Sequence, residues 1–226
     1  MDFGLSTVGS FALHAAFVAS AFGIVAGIIG GRTGKKRYQI AAQYALWTVV
    51  GFVLVAAMVY LNAFVTHDFS VAYVAQNSNL AMPFAYTWVA FYAGNAGSLL
   101  FIALAFSLLV VVAVPGLARK LPFTAPYATG LMAIILTFFL GVIVFLANPL
   151  DTMAIVPPDG QGINPLLVHF GMFIHPPVQM LGLIAVAIPF SIAMGALIAG
   201  RGGRDEWVDL GRLWGMISWL VLTGGL

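Results

Sequence analysis

Four histidines, His14, His67, His169 and His175, are the side chains of this sequence best suited to chemistry. Cysteine is absent, so the chain can form no disulfide and supply no thiolate to a metal. His175 stands out because it lies in Gly171–Gln179, "GMFIHPPVQ", directly before two prolines. Proline breaks a helix interior but is tolerated in a first turn, where its missing N–H has no helical partner to lose. Pro176-Pro177 therefore read as a helix start, with the imidazole of His175 held stiffly just before it. A neutral imidazole there can ligate haem iron, or it can be a structural hydrogen-bonding residue. One histidine fills one axial position, and six-coordinate iron needs a second ligand on the opposite face of the ring. His169 is poorly placed for that, since six helical residues turn a side chain by about 600° and leave the pair about 120° apart. His67 is the only other histidine in the same loops; failing it, the second ligand lies outside this chain. His14 falls inside an apolar run, where an ionisable side chain is costly and is a functional candidate by default. The expectation for it is a hydrogen bond to a neighbouring helix.

The elements that position these residues follow from composition. Of the 226 residues 62% are hydrophobic and 7% charged, where a soluble domain carries roughly a quarter charged residues. The mean hydropathy is +1.05. The chain reads as a single all-α, polytopic membrane domain over residues 1–226, with no water-soluble domain. Runs of about 20 apolar residues cross a bilayer as helices. Such runs cover about 8–29, 40–65, 97–117, 126–147 and 178–199, and a sixth begins near Leu210 and is still apolar at Leu226. The last helix is thus expected to be incomplete and the chain to be part of a longer protein, whether a split-gene product or a truncated one.

Charge sets the expected orientation. The nine Lys and Arg fall in three segments: Arg32, Lys35, Lys36 and Arg37; Arg119 and Lys120; and Arg201, Arg204 and Arg212. These follow runs one, three and five, so they share one side. The remaining loops contain none and hold Asp2, Asp68, Asp151 and Asp159. The positive-inside rule assigns the basic side to the cytoplasm, placing the N-terminus and the long loops 66–96 and 148–177 outside. The first run is no cleaved signal peptide, because its basic residues come after it. The net charge of +2 reflects this bias; the lipid bilayer, and no nucleic acid, is the expected surroundings.

Gly23, Gly27 and Gly31 repeat every four residues, a spacing that lets helices approach closely. In Met82–Gly94, "MPFAYTWVAFYAG", the residues Phe84, Trp88, Phe91 and Tyr92 fall at helical spacing with no charge. This predicts a helix lying in the membrane surface, either as an aromatic belt or as a shelf for a flat apolar ligand or a partner's helix. In the loop Asn148–Pro177 six prolines stiffen the chain and Asp159-Gly160 signals a turn. Leu166–Ile174 is apolar but too short to span, and is expected to dip into the outer interface.

These residues resemble a known family. "DGQGINPLLVHFGMFIHPPVQMLG" (Asp159–Gly182) resembles the signature loop of the CcmF proteins of cytochrome c-type biogenesis, part of the CcmF/CcmC/CcsA haem-handling group. "DFSVAYVAQNSNLAMP" (Asp68–Pro83) resembles that family's first outer loop, and "GSLLF" (Gly97–Phe101) the start of its third span. The likeness runs in order along nearly the whole chain. It implies the N-terminal part of a haem lyase in the bacterial inner membrane, multi-pass, with outer loops facing the periplasm or exterior. There it would accept haem from the haem chaperone CcmE. With a CcmH-type subunit and the remaining C-terminal part of CcmF, it would attach that haem to apocytochrome c. His175 matches the family's outer axial haem ligand. The resemblance implies that Pro176, Pro177, Asn164 and Asp159 belong to the same haem-binding segment. The attacking thiols would be those of the substrate. Two departures stand beside the likeness. The family's tryptophan-rich haem loop, which follows the sixth span, is not in this chain. The polar pair usually found before the third span is here Asn95 and Ala96. The alternative is a non-catalytic, CcmF-like membrane scaffold or assembly subunit that does not bind haem.

Overall fold

A computed structural model describes residues 4–226, so Asp2 lies outside the described residues. The chain is an all-α bundle. Helix α1 (Leu5–Thr33) turns through Gly34, in the left-handed conformation (φ 66°), into α2 (Lys36–Val65). Two six-residue helices follow, α3 (Ala72–Asn77) and α4 (Tyr86–Phe91), then the long α5 (Asn95–Lys120) and α6 (Ala125–Phe145). After a long loop come α7 (His175–Ala185), α8 (Ala187–Ile198) and α9 (Val208–Gly224). Among the described residues the sole β-type pairing is an isolated bridge between Val71 and Thr152.

Five segments are long and apolar enough to cross a membrane: α1, α2, α5, α6 and Phe170–Ile198, which contains α7 and α8. The chain is therefore a multi-pass membrane protein. Helix α9, at the expected sixth run, has 17 residues and is shorter than these five. The fifth span differs from expectation twice. Its α-helix starts at His175, one residue before the expected Pro176-Pro177 start, and it is interrupted at Val186. Pro189 explains the break, because it has no N–H to return to the Ala185 carbonyl and its ring crowds that carbonyl.

Small residues set the packing. A Cβ on Gly27 would lie 2.8 Å from the Pro126 carbonyl oxygen and 2.9 Å from the Gly130 backbone, so α1 and α6 meet nearly backbone to backbone. One turn on, the Tyr127 ring fills the notch at Gly31. Within a bilayer such close approach gains dispersion energy that lipid cannot match. The buried interior holds Leu13, Leu46, Phe106, Leu136 and Ile143, while Phe11, Val112 and Phe138 are exposed around the outside. An apolar rim of that kind suits hydrocarbon rather than water. The turns α1–α2, α5–α6 and α8–α9 share one end of the bundle, here called the basic end. The two long loops cap the other, the loop end.

Candidate functional site

The loop end is built from two loops stitched together. The Ala72 N–H donates to the Asp151 carbonyl (2.8 Å), and the Met153 N–H to the Ser70 carbonyl (2.8 Å). Further along, the Gln161 N–H donates to Ala75 (2.7 Å) and the Gly162 N–H to Ser78 (3.0 Å). Asp159 joins them through its side chain: Oδ1 accepts from the Leu80 N–H (2.9 Å) and from Gly160 (2.7 Å). Gly160 sits so close to the Ser78 carbonyl that a Cβ would collide with it. Gly162 needs a φ of 84°. The stretches "NSNL" and "DGQG", about 80 residues apart, are thus one structural unit. Asp159 is its tie and is not hydrogen-bonded to His175.

The chain then runs to His175 through two short 3-10 turns, Pro165–Leu167 and Phe170–Phe173. Asn164 starts the first, its Oδ1 accepting from the Leu166 N–H (3.0 Å). His169 starts the second, its Nδ1 accepting from the Gly171 N–H (3.0 Å). Both are local caps. Leu166, Phe170 and Ile174 are exposed, so this segment presents an apolar surface beside His175.

The second turn is propped by α4 and its C-terminal end. Tyr92 donates its O–H to the Met172 carbonyl (2.6 Å), and the Tyr86 ring lies 5.3 Å from that of Phe173. Burial pushes the Tyr92 hydroxyl up to about 12, so it remains a donor. The aromatic face expected over Phe84–Tyr92 is divided. Phe84 and Trp88 are exposed, whereas Phe91 and Tyr92 are buried in the core, and the helix covers only Tyr86–Phe91. Helix α4 is therefore partly surface and partly core, because the chain turns sharply into α5 after Phe91. Tyr73 holds that turn. Its oxygen accepts from the Gly94 N–H (2.6 Å), and a Cβ on Gly97 would lie 2.8 Å from it.

His175 is the first residue of α7 rather than the residue before it, with Pro176 and Pro177 in the first turn. It is exposed. Its Nδ1 is hydrogen-bonded to the backbone carbonyl of Gly225, at the end of α9. A carbonyl can only accept, so Nδ1 is the donor and, in the neutral ring, Nε2 keeps its lone pair. This pairing is possible because Gly182 and Gly225 let the end of α9 come close to the α7 backbone. A Cβ on Gly182 would strike the Leu222 backbone, and one on Gly225 would lie 2.5 Å from the Gln179 nitrogen. Such a backbone partner orients an imidazole as a metal ligand. The donor set suits one axial position to haem iron and no more. Among the described residues there is no cluster of three metal-ligating side chains.

The other histidines lie apart. His67 follows α2 with φ 51°, and its buried Nδ1 has no hydrogen-bond partner. His14 does not reach a neighbouring helix: its Nδ1 bonds to the Ser10 carbonyl of its own helix (2.8 Å). It is exposed, lining a groove of about 780 Å³ between α1 and α2. In a membrane, self-bonding within the helix satisfies the ring where no partner helix is adjacent. Nothing in the sequence pointed to Gly225 or Tyr92 as partners of this site. Tyr92 was visible only as one of an aromatic series.

No protein-family model matches the chain. It is 34% identical over 201 residues to the cytochrome c-type biogenesis protein CcmF of Pseudomonas fluorescens, covering 88% of this chain and 30% of that protein. It is 33% identical over 226 residues to the cytochrome c-type biogenesis protein CycK of Rhizobium meliloti, covering 97% of this chain and 32% of the relative. A solved structure of a cytochrome c haem lyase CcmF superposes with a TM-score of 0.85 at 26% identity, over 100% of this chain and 35% of that one. The chain thus spans about a third of the length of the relatives it matches. On this likeness of sequence and fold, it belongs to the CcmF family of cytochrome c-type biogenesis proteins.

Proposed function

We propose that this chain holds haem as a substrate at the loop end of the bundle, for thioether attachment to apocytochrome c. It would act as one part of a cytochrome c haem lyase in a bacterial inner membrane, with the loop end facing the periplasm. The observation that carries this reading is the state of His175: exposed, held at a Pro-Pro helix start, with Nδ1 bound to Gly225 and Nε2 unengaged. In this reading Nε2 ligates the haem iron on one face. Pro176 and Pro177 fix the backbone that carries the ring, since proline presets φ for a first helical turn. Asn164 and Asp159 hold the loop that leads to it. The exposed Leu166, Phe170 and Ile174 offer apolar contact to a flat macrocycle. The second axial ligand is expected outside this chain, because His169 already serves as a cap. A haem chaperone of the CcmE type would deliver the haem, and a CcmH-type subunit would help present the apocytochrome. The rest of a CcmF protein would complete the site.

The second reading is a scaffold that does not bind haem. The departure at Asn95 and Ala96 favours it, with Asn95 exposed at the start of α5. His175→Ala separates the two. Holo-cytochrome c in cells that depend on this protein should fall by more than tenfold, since removing even an outer hydrogen-bond partner of a metal ligand costs about that much. The haem absorption spectrum of the purified complex should change with it. Unchanged holo-cytochrome and an unchanged spectrum would leave the scaffold.

A further inference from the structure

The basic end contains a cavity of about 600 Å³ that the haem reading does not use. Lys36, Gln39 and Gln43 line it from α2, and Arg119, Phe123 and Pro126 from the α5–α6 turn. Lys36, Gln39 and Gln43 follow the i, i+3, i+7 spacing of one helix face. The third basic segment joins them, because the Arg201 guanidinium lies over the Phe123 ring, 4.2 Å from its centre. Lys36 and Arg119, from two of the basic turns, thus line the concavity, and Arg201 of the third packs on its Phe123. No acid is among the residues that line it. The single ion pair among the described residues is Arg204 with Glu206 (3.9 Å), and the α1–α2 and α5–α6 turns contain no Asp or Glu. Arg119 spends only Nε on the protein, donating to the Pro115 carbonyl (3.3 Å).

The cavity opens between helix ends, where the apolar spans give way to charged turns, and exposed Phe123 and Ile40 flank the charges. We propose that it is a binding site for the headgroup of an anionic phospholipid from the leaflet at the basic end. Lys36 and Arg119 would meet the phosphate diester. The Gln39 and Gln43 amides would donate to the glycerol ester carbonyls, and Ile40 and Phe123 would contact the first acyl methylenes. Basic pockets between membrane helices take lipid headgroups by the same chemistry. A soluble anion has no use for the apolar flank, which is why the lipid is favoured over free phosphate.

The test compares lipid retained by the purified intact protein, by native mass spectrometry, after exchange into nanodiscs of phosphatidylcholine with and without phosphatidylglycerol. Phosphatidylglycerol should be retained selectively. Lys36→Gln and Arg119→Gln should each weaken it about fivefold, the share of one interfacial cation. Lys35→Gln and Lys120→Gln, which neutralise charges outside the cavity, should leave it unchanged. Gln43→Leu keeps every charge and should also weaken retention, which preserves the test if the charge variants insert poorly. Equal loss in the Lys35 and Lys120 variants would overturn the site in favour of general surface attraction. Saturation by inorganic phosphate alone would overturn the lipid assignment, and so would retention indifferent to headgroup.

Discussion

The Gly225 carbonyl accepts the Nδ1 proton of His175 across 50 residues of sequence. Two helices, α7 and α9, must touch at their backbones for this bond to exist, and Gly182 and Gly225 are the residues that let them. Gly225→Ala should therefore push α9 off α7 and leave the ring of His175 free to rotate. Haem affinity of the assembled protein, read by absorption titration, should drop about tenfold or more. Gly224→Ala, whose Cβ meets nothing within 4 Å, should leave it unchanged. Equal behaviour of the two variants would show that the carbonyl does not orient the ring.

Tyr92 should hold the segment before His175 until strongly alkaline pH. Its folded pKa is raised by burial to about 12, above the ordinary value of about 10. The contribution is thus complete below pH 10 and lost as pH rises through 12. Tyr92→Phe should remove one hydrogen bond, worth about 1 kcal/mol. Hydrogen exchange over residues 170–174 should speed about fivefold at neutral pH in this variant, and its ultraviolet difference titration should lack one tyrosine that titrates near 12.

Asp159 ties the two long loops through a single carboxylate oxygen. Asp159→Ala should open the junction of 77–80 with 159–162 to proteases at the loop end. Asp159→Asn keeps an acceptor at Oδ1 and should resist cleavage nearly as well as the natural protein. If both variants are cut alike, charge rather than the acceptor holds the loops.

Close packing of α1 on α6 makes Gly27 intolerant. A methyl group there meets the Pro126 carbonyl at 2.8 Å, and overpacking of this kind costs about 1–3 kcal/mol. Gly27→Ala should lower the unfolding temperature in detergent. Gly51→Ala, with open space at its Cβ, should not lower it.

Much of this architecture was legible in the chain because its signals are local. Apolar runs of sufficient length form helices in lipid whatever surrounds them, since each helix satisfies its own backbone. The four-residue glycine repeat marked the face on which α1 meets α6. Pro176-Pro177 placed a helix start within a few residues of where it lies. The break at Val186 was harder to read, because Pro189 acts three residues downstream of the interruption it causes.

The site was legible only in its residue types. Composition and spacing pointed to His175 and set aside His169, but no local pattern could name Gly225 as the partner of His175 or Tyr92 as the donor to Met172. Nor could one say that Asp159 would close the two loops rather than stand beside the histidine. Those are hydrogen bonds between residues tens of positions apart, and they depend on how helices pack, which is decided by many small contacts at once. The sequence by itself therefore determined which segments are helical, where the charges gather and which imidazole stands at a rigid helix start. Only the tertiary structure decided which nitrogen of that imidazole is free, because the choice rests with a carbonyl that helix packing brings to it.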